Sequence, residues 1–179
     1  MAKKAPQMIE PSTPEGIWES HQLLRSDPRA YVETATGWIE NNPSSSAAYF
    51  SRHQGWIALG DPERALADMT KSIELEADQV GYRSRGNVYR RLGEYEKAVE
   101  DYRRGAAMDP KRWEEDAFPL IYQADTYARL GDEAKALDCC ARLPEDFWTP
   151  GHNGLPPGGK AEIAAELKRR AAAARGQGV

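Results

Sequence analysis

Cysteine, histidine, carboxylate and guanidinium groups could all do chemistry in this chain of 179 residues, and their spacing decides which do. Cys139 and Cys140 are adjacent. Neighbours on a helix point about 100° apart, which suits neither a C-x-x-C redox pair nor a cysteine metal site. His21, His53 and His152 are scattered, and none has a partner at ligand spacing. Asp61, Glu63, Glu94 and Glu96 fall in the first turns of expected helices, where a carboxylate caps and solubilises. Gly158-Gly159 is only a weak anion-site candidate, because no strand leads into it. The expectation is no enzyme: no catalytic residue, no metal and no cofactor. What remains is recognition. Arg83 and Asn87 lie one helical turn apart and point the same way. Asn offers a peptide backbone both donor and acceptor, and Arg grips a carboxylate with two parallel bonds. The plain alternative is that both are ordinary solvated helix residues.

Such a pair needs helices to hold it, and Tyr82–Pro110 describes two of them. Gly86 and Ala98 are small, Tyr89, Tyr95 and Tyr102 are aromatic, Gly93 makes a turn and Pro110 a stop. That order fits two antiparallel helices pressed closely together. The pattern recurs upstream as Tyr49, Trp56, Leu59-Gly60-Asp61, Ala65, Met69 and Leu75. Downstream it returns as Leu120, Ala124, Tyr127, Leu130-Gly131-Asp132, Ala136 and Leu143-Pro144. Gly60 and Gly93 are 33 residues apart, while Gly131 follows Gly93 by 38, which places a short insertion around Lys111–Asp116. No sustained period-two run of β-branched residues appears, so eight or nine helices and no sheet are expected.

This chain resembles the tetratricopeptide repeat family, whose period is about 34 residues. The resemblance implies an all-α fold, a right-handed superhelical solenoid of helix-turn-helix repeats closed by a C-terminal capping helix. Three repeats then span 46–146, as 46–78, 79–112 and 117–146. The family lines a concave groove with the first helices of successive repeats, and the groove holds a peptide or a partner helix. On that geometry Phe50, Gln54 and Ile57 enter the groove from the first repeat. Arg83, Asn87, Arg90 and Arg91 follow from the second, and Phe118, Ile121, Tyr122, Asp125 and Arg129 from the third. One end would be apolar, the middle cationic, and the other end aromatic with one carboxylate. His53 takes the place where the family has Gly or Ala, implying wider local packing or a ring turned to a carbonyl. Cys140 falls at an apolar core place and Cys139 on a semi-exposed flank. A chaperone-binding subfamily uses a five-residue basic clamp; Arg83 and Asn87 match its first two members, but Phe118 and Tyr122 stand where it needs basic residues.

Residues 14–45 read as a degenerate helical pair behind a disordered tail, 1–13. Ile17, Trp18, His21 and Leu24 share one face of its first helix. Asp27-Pro28 caps the second, which turns Tyr31, Ala35, Trp38 and Ile39 inward and stops at Asn41-Asn42-Pro43. A Pro/Gly connector, 147–158, is either packed by Phe147 and Trp148 or a lid. The capping helix, 159–175, turns Ile163, Leu167, Ala164 and Ala171 inward. Lys3 and Lys4 lie in a tail without the apolar run of a signal peptide.

A net charge of −4 and a pI near 5.5 argue against a general nucleic-acid binder, although Arg83, Arg85, Arg90, Arg91, Arg103 and Arg104 make the middle repeat locally basic. No stretch is long enough for a membrane span. The expected place is the cytoplasm and the expected partner another protein, with no nucleic acid and no membrane. The reading is a protein-protein interaction adaptor holding a peptide or partner helix in the groove, with Arg83 and Asn87 exposed there. The alternative is a chaperone-like protein of the small secretion type, keeping an unfolded client soluble and forming a homodimer through the N-terminal helices around Trp18 and Trp38.

Overall fold

In a computed structural model the described residues are 14–151 and 154–176, without the side chains of 14–17 and 114–115. The tail 1–13, His152 and the side chain of Ile17 lie outside them. The chain divides into two compact units at Gly81 and Tyr82.

The first unit holds α1 (Pro14–Ser26), α2 (Pro28–Asn41), α3 (Ser46–Ala58), α4 (Pro62–Leu75) and the first residues of α5 (Gln79–Arg91). Each start is written locally. Asp27, Ser45 and Asp61 accept the backbone N–H groups of Ala30, Ala48 and Arg64, and Pro28 and Pro62 supply a preset φ. Tyr31 and Ala35 of α2 are buried as expected, with Trp38 and Ile39 half-buried. On α1 the expected face is corrected. Ser20 is buried and its hydroxyl donates to the Tyr31 hydroxyl at 3.4 Å, while His21 is exposed and Trp18 is 64% exposed. The inward stripe is therefore buried Ser20 with half-buried Leu23 and Leu24, and of the expected face with a described side chain only Leu24 belongs to it.

The second unit continues α5 and adds α6 (Tyr95–Met108), α7 (Pro110–Glu115), α8 (Ala117–Arg129), α9 (Glu133–Ala141) and α10 (Lys160–Gly176). The described residues thus form ten helices, more than the eight or nine expected. The extra one is α7: Asp109 accepts the N–H of Arg112, so Asp109-Pro110 starts a helix besides ending one. The expectation of no sheet is also corrected, since β1 (Trp148–Thr149) pairs antiparallel with β2 (Gly158–Gly159) inside the connector. The core gathers Tyr102, Trp113, Leu120 and Ala124 with Cys139, Cys140 and Leu143, closed by Leu155 of the connector and by Ile163, Leu167 and Ala171 of α10. Between α5 and α6 an added Cβ on Gly86 would come within 2.6 Å of the Tyr102 ring, beside the fully buried Ala98. No helix among the described residues is long and apolar enough to cross a membrane.

Candidate functional site

Three turns set the first helix of each hairpin, and all three are built alike. Gly60, Gly93 and Gly131 take φ of 76°, 77° and 79°, the left-handed region that glycine enters without a Cβ penalty. After each glycine the next N–H reaches back to an aromatic residue's carbonyl: Asp61 to Trp56, Glu94 to Tyr89 and Asp132 to Tyr127, each at 2.9 Å. The same three aromatic rings each carry a cation from the following helix, Arg64 at 4.3 Å, Lys97 at 5.5 Å and Lys135 at 5.5 Å. Asp61 and Asp132 cap their helices, whereas Glu94 makes no capping bond and pairs with Lys97 instead.

In the first unit Phe50, Gln54 and Ile57 lie half-buried on α3. The Phe50 ring meets His53 edge-on at 4.7 Å, and Gln54 accepts from the Tyr31 hydroxyl at 3.3 Å. His53 is buried with its Nδ1 on the Phe50 carbonyl, and burial lowers its pKa to about 4 against that hydrogen bond.

In the second unit Arg83 and Asn87 are half-buried and bonded, not free. Arg83 donates to Asp116 at 2.8 Å, and Asn87 accepts from the hydroxyl of buried Tyr102 at 2.7 Å. Asp116 is there because it also caps α8 through the N–H of Phe118. Ile121 is in the core. Arg90 and Asp125 are interior as well. Asp125 is 1% exposed and accepts from Arg90 at 2.9 Å, from Arg129 at 2.9 Å and from Arg170. Arg170 also binds Glu166 and the Gly154 carbonyl, and its bond to Glu166, after that of Arg169, holds the Glu166 pKa down at about 2. Open to solvent on this side are Arg91 on α5 and Phe118 on α8, the latter 52% exposed and 6.4 Å from the half-buried Tyr122. Arg129 remains partly accessible and reaches the Tyr95 hydroxyl at 3.4 Å. Such a face can hold a chain by aromatic contact and guanidinium bonds; among the described residues no group of three or more His, Cys, Asp or Glu side chains could hold a metal ion.

The tetratricopeptide repeat profile matches residues 80–112. A thermophilic TPR protein of Thermus thermophilus superposes with a TM-score of 0.62 at 20% identity, covering 93% of this chain and 83% of that one. Residues 80–112 thus match one tetratricopeptide repeat, and the fold of the chain is that of a TPR solenoid. Its relatives include the Bos taurus protein named DnaJ homolog subfamily C member 3, 30% identical over 98 residues, 54% of this chain and 19% of that protein. Another is Hsp70-Hsp90 organizing protein 3 of Arabidopsis thaliana, 36% identical over 77 residues, 42% of this chain and 14% of that protein. The chain therefore spans about a fifth or less of the length of either relative.

Within the hairpins, sequence reasoning passed over two bidentate polar links. Arg52 of α3 grips Asp68 of α4 with two bonds of 2.9 and 2.7 Å. Arg85 of α5 grips Asp101 of α6 in the same way at 2.7 and 2.8 Å. Both pairs are 16 residues apart, and each fork raises its arginine's pKa further. The signal was present as an Arg and an Asp that both return after 33 residues. In the third hairpin the matching places hold Gln123 and Cys139. Cys139 is buried, not semi-exposed, because that place faces the partner helix in every hairpin. Burial pushes its thiol up to about 11, which keeps it protonated near neutrality and unreactive.

Proposed function

We propose that the chain is a protein-protein interaction adaptor whose repeats hold a peptide or partner helix against their first helices. Phe118 carries the reading: it is a large apolar ring left half-exposed on α8 beside Tyr122, on the element that the repeat devotes to recognition. Exposed aromatic residues of this kind anchor partner chains. Arg91, Arg129 and the outer edge of Arg83 supply cationic contacts beside it, and Asn87 keeps its amide donors for a backbone carbonyl. In the first unit Phe50, Gln54 and Ile57 are the corresponding contacts. Arg90, Ile121 and Asp125 act from beneath, by fixing the helices that present the others. The names of the relatives favour a partner from the chaperone machinery, with Hsp70-class proteins as the first to test.

The test is affinity capture with the intact chain and with Phe118→Ala/Arg91→Ala, two exposed substitutions that should leave the melting temperature unchanged. Proteins held by the wild type should be lost from the variant. Equal retention overturns this face as the site. The secretion-chaperone reading rests on Trp18, which α1 leaves exposed, and it predicts that Trp18→Ala removes client binding or self-association.

A further inference from the structure

A cavity of about 290 Å³ opens in the first unit where α3 begins, α4 ends and α5 begins. Its apolar walls are Ala47, Phe50 and Val80, and its rim carries Glu76 and Asp78. The walls are held in place by polar bonds that leave the rim charged. Ser72 donates to the Ser46 carbonyl at 3.0 Å, and Ser46 donates to Glu76 at 2.6 Å. Asp78 caps α5 through the N–H of Gly81 at 2.6 Å. Gly81 lets α5 start this close to α4, since a Cβ there would stand 3.1 Å from Ile73.

Charge and shape then select the occupant. Both rim carboxylates belong to exposed residues, and none of the residues lining the cavity is basic. The helix ends meeting here partly offset one another: α4 presents its negative end, α3 and α5 their positive ends, with Ser45 and Asp78 capping the latter two. His53, in edge contact with Phe50 but not itself lining the cavity, is buried, and burial favours its neutral form, so it adds no positive charge nearby. An apolar hollow sized for one large side chain is thus edged by two anions, which draw cations and repel acidic chains.

Building on the adaptor reading, we infer that this cavity docks a peptide segment of a partner protein in which one large apolar side chain is flanked by lysine or arginine. The apolar side chain enters against Phe50 and Val80. The flanking cations pair with Glu76 and Asp78, both exposed residues. This gives the first unit a ligand preference opposite in charge to the arginine-bearing face of α5 and α8 described above.

The test is a nuclear magnetic resonance titration of the intact labelled chain with blocked heptapeptides carrying a central Phe flanked by Lys, Gln or Glu. The Lys peptide should shift the backbone resonances of Ala47, Phe50 and Val80 and bind about fivefold tighter than the Glu peptide. The difference should collapse in ~0.5 M salt, where exposed charges are screened. Glu76→Gln with Asp78→Asn should abolish the preference. Both amides still accept from Ser46 and Gly81, so an unchanged melting temperature separates lost recognition from lost folding. Equal affinity for the three peptides, a preference for the Glu peptide, or no shift with any of them overturns the inference. Shifts confined to residues around Phe118 and Tyr122 also overturn it, yet leave the adaptor reading standing, since that reading is judged by the separate capture experiment.

Discussion

On α3 and α4, Arg52 grips Asp68 and closes the hairpin on itself, whereas the matching places on α8 and α9 hold Gln123 and Cys139. The two hairpins share a turn, a glycine at positive φ and a cation over an aromatic ring. They differ in where the charge is anchored. The third hairpin places its carboxylate on α8 as Asp125, and its arginines arrive from α5, from α8 itself and from α10. Its apolar side is likewise completed from outside, by Ile163, Leu167 and Ala171. One hairpin is fastened internally and the other by its neighbours. Repeat proteins draw stability both from within each repeat and from neighbour interfaces, and here the two sources are divided between hairpins.

The sharpest way to break this comparison is Asp125→Asn. The substitution keeps shape and removes the counter-charge from three guanidiniums, two of them on mostly buried side chains. Removing one partner of a buried ion pair costs on the order of 3–5 kcal/mol. Thermal or denaturant unfolding should show a loss of that size. Hydrogen exchange should show it in α8, α9 and α10, with α3 and α4 still protected. Equal loss of protection in α3 and α4 would mean that the first hairpin is not self-fastened.

Asp68→Asn and Asp101→Asn should do less. Each frees a single guanidinium that keeps some contact with water, so about 1–3 kcal/mol is expected, the usual cost of an unsatisfied buried partner. Exchange protection should fall in α3 and α4 for the first and in α5 and α6 for the second. If either variant instead loosened α9, the internal fork would not be what closes its hairpin.

These links differ in how far they could be read from sequence. The turns were legible because their cause is local: a Leu-Gly-Asp or Leu-Gly-Glu step and a proline or acidic cap lie within a few residues of what they determine. The α1 face was misjudged because Trp18 is large and apolar, yet burial there goes to Ser20, which reaches Tyr31. The forks could have been found from the recurrence of Arg and Asp after 33 residues, had charge not been assigned to solvated faces by type alone. Arg90 and Arg170 were beyond reach. They meet Asp125 across 35 and 45 residues, and no local pattern announces a contact that only packing creates. Of the candidate contacts, Arg83 and Asn87 were expected to be exposed, and their bonds to Asp116 and Tyr102 depend on packing that the sequence does not announce.

The smallest expected effect concerns a third place at which the hairpins differ. Where α5 has Gly86 and α8 has Ala124, α3 has His53. The ring fits because it turns edge-on to Phe50 and sets its Nδ1 on the Phe50 carbonyl; that bond favours the protonated ring, but burial outweighs it. Burial lowers the folded-state pKa to about 4, whereas the unfolded chain should titrate near the ordinary 6.5. The unfolded state therefore binds the proton more readily between these values. The stability due to the neutral ring is complete above pH 6.5, declines as pH falls through the window, and stops declining below about 4. Linkage sets the slope at about 1.4 kcal/mol per pH unit, so roughly 1 kcal/mol is lost by about pH 5.5. Titration of carboxylates elsewhere is common to wild type and His53→Gln, and the variant keeps a donor near the Phe50 carbonyl. Unfolding measured from pH 7 to 5 should show the wild type losing stability faster than the variant, with the extra loss of exchange protection confined to α3 and α4. Parallel curves would show that His53 titrates normally in the folded chain, and the first hairpin would then have no acid sensitivity to set it apart from the other two.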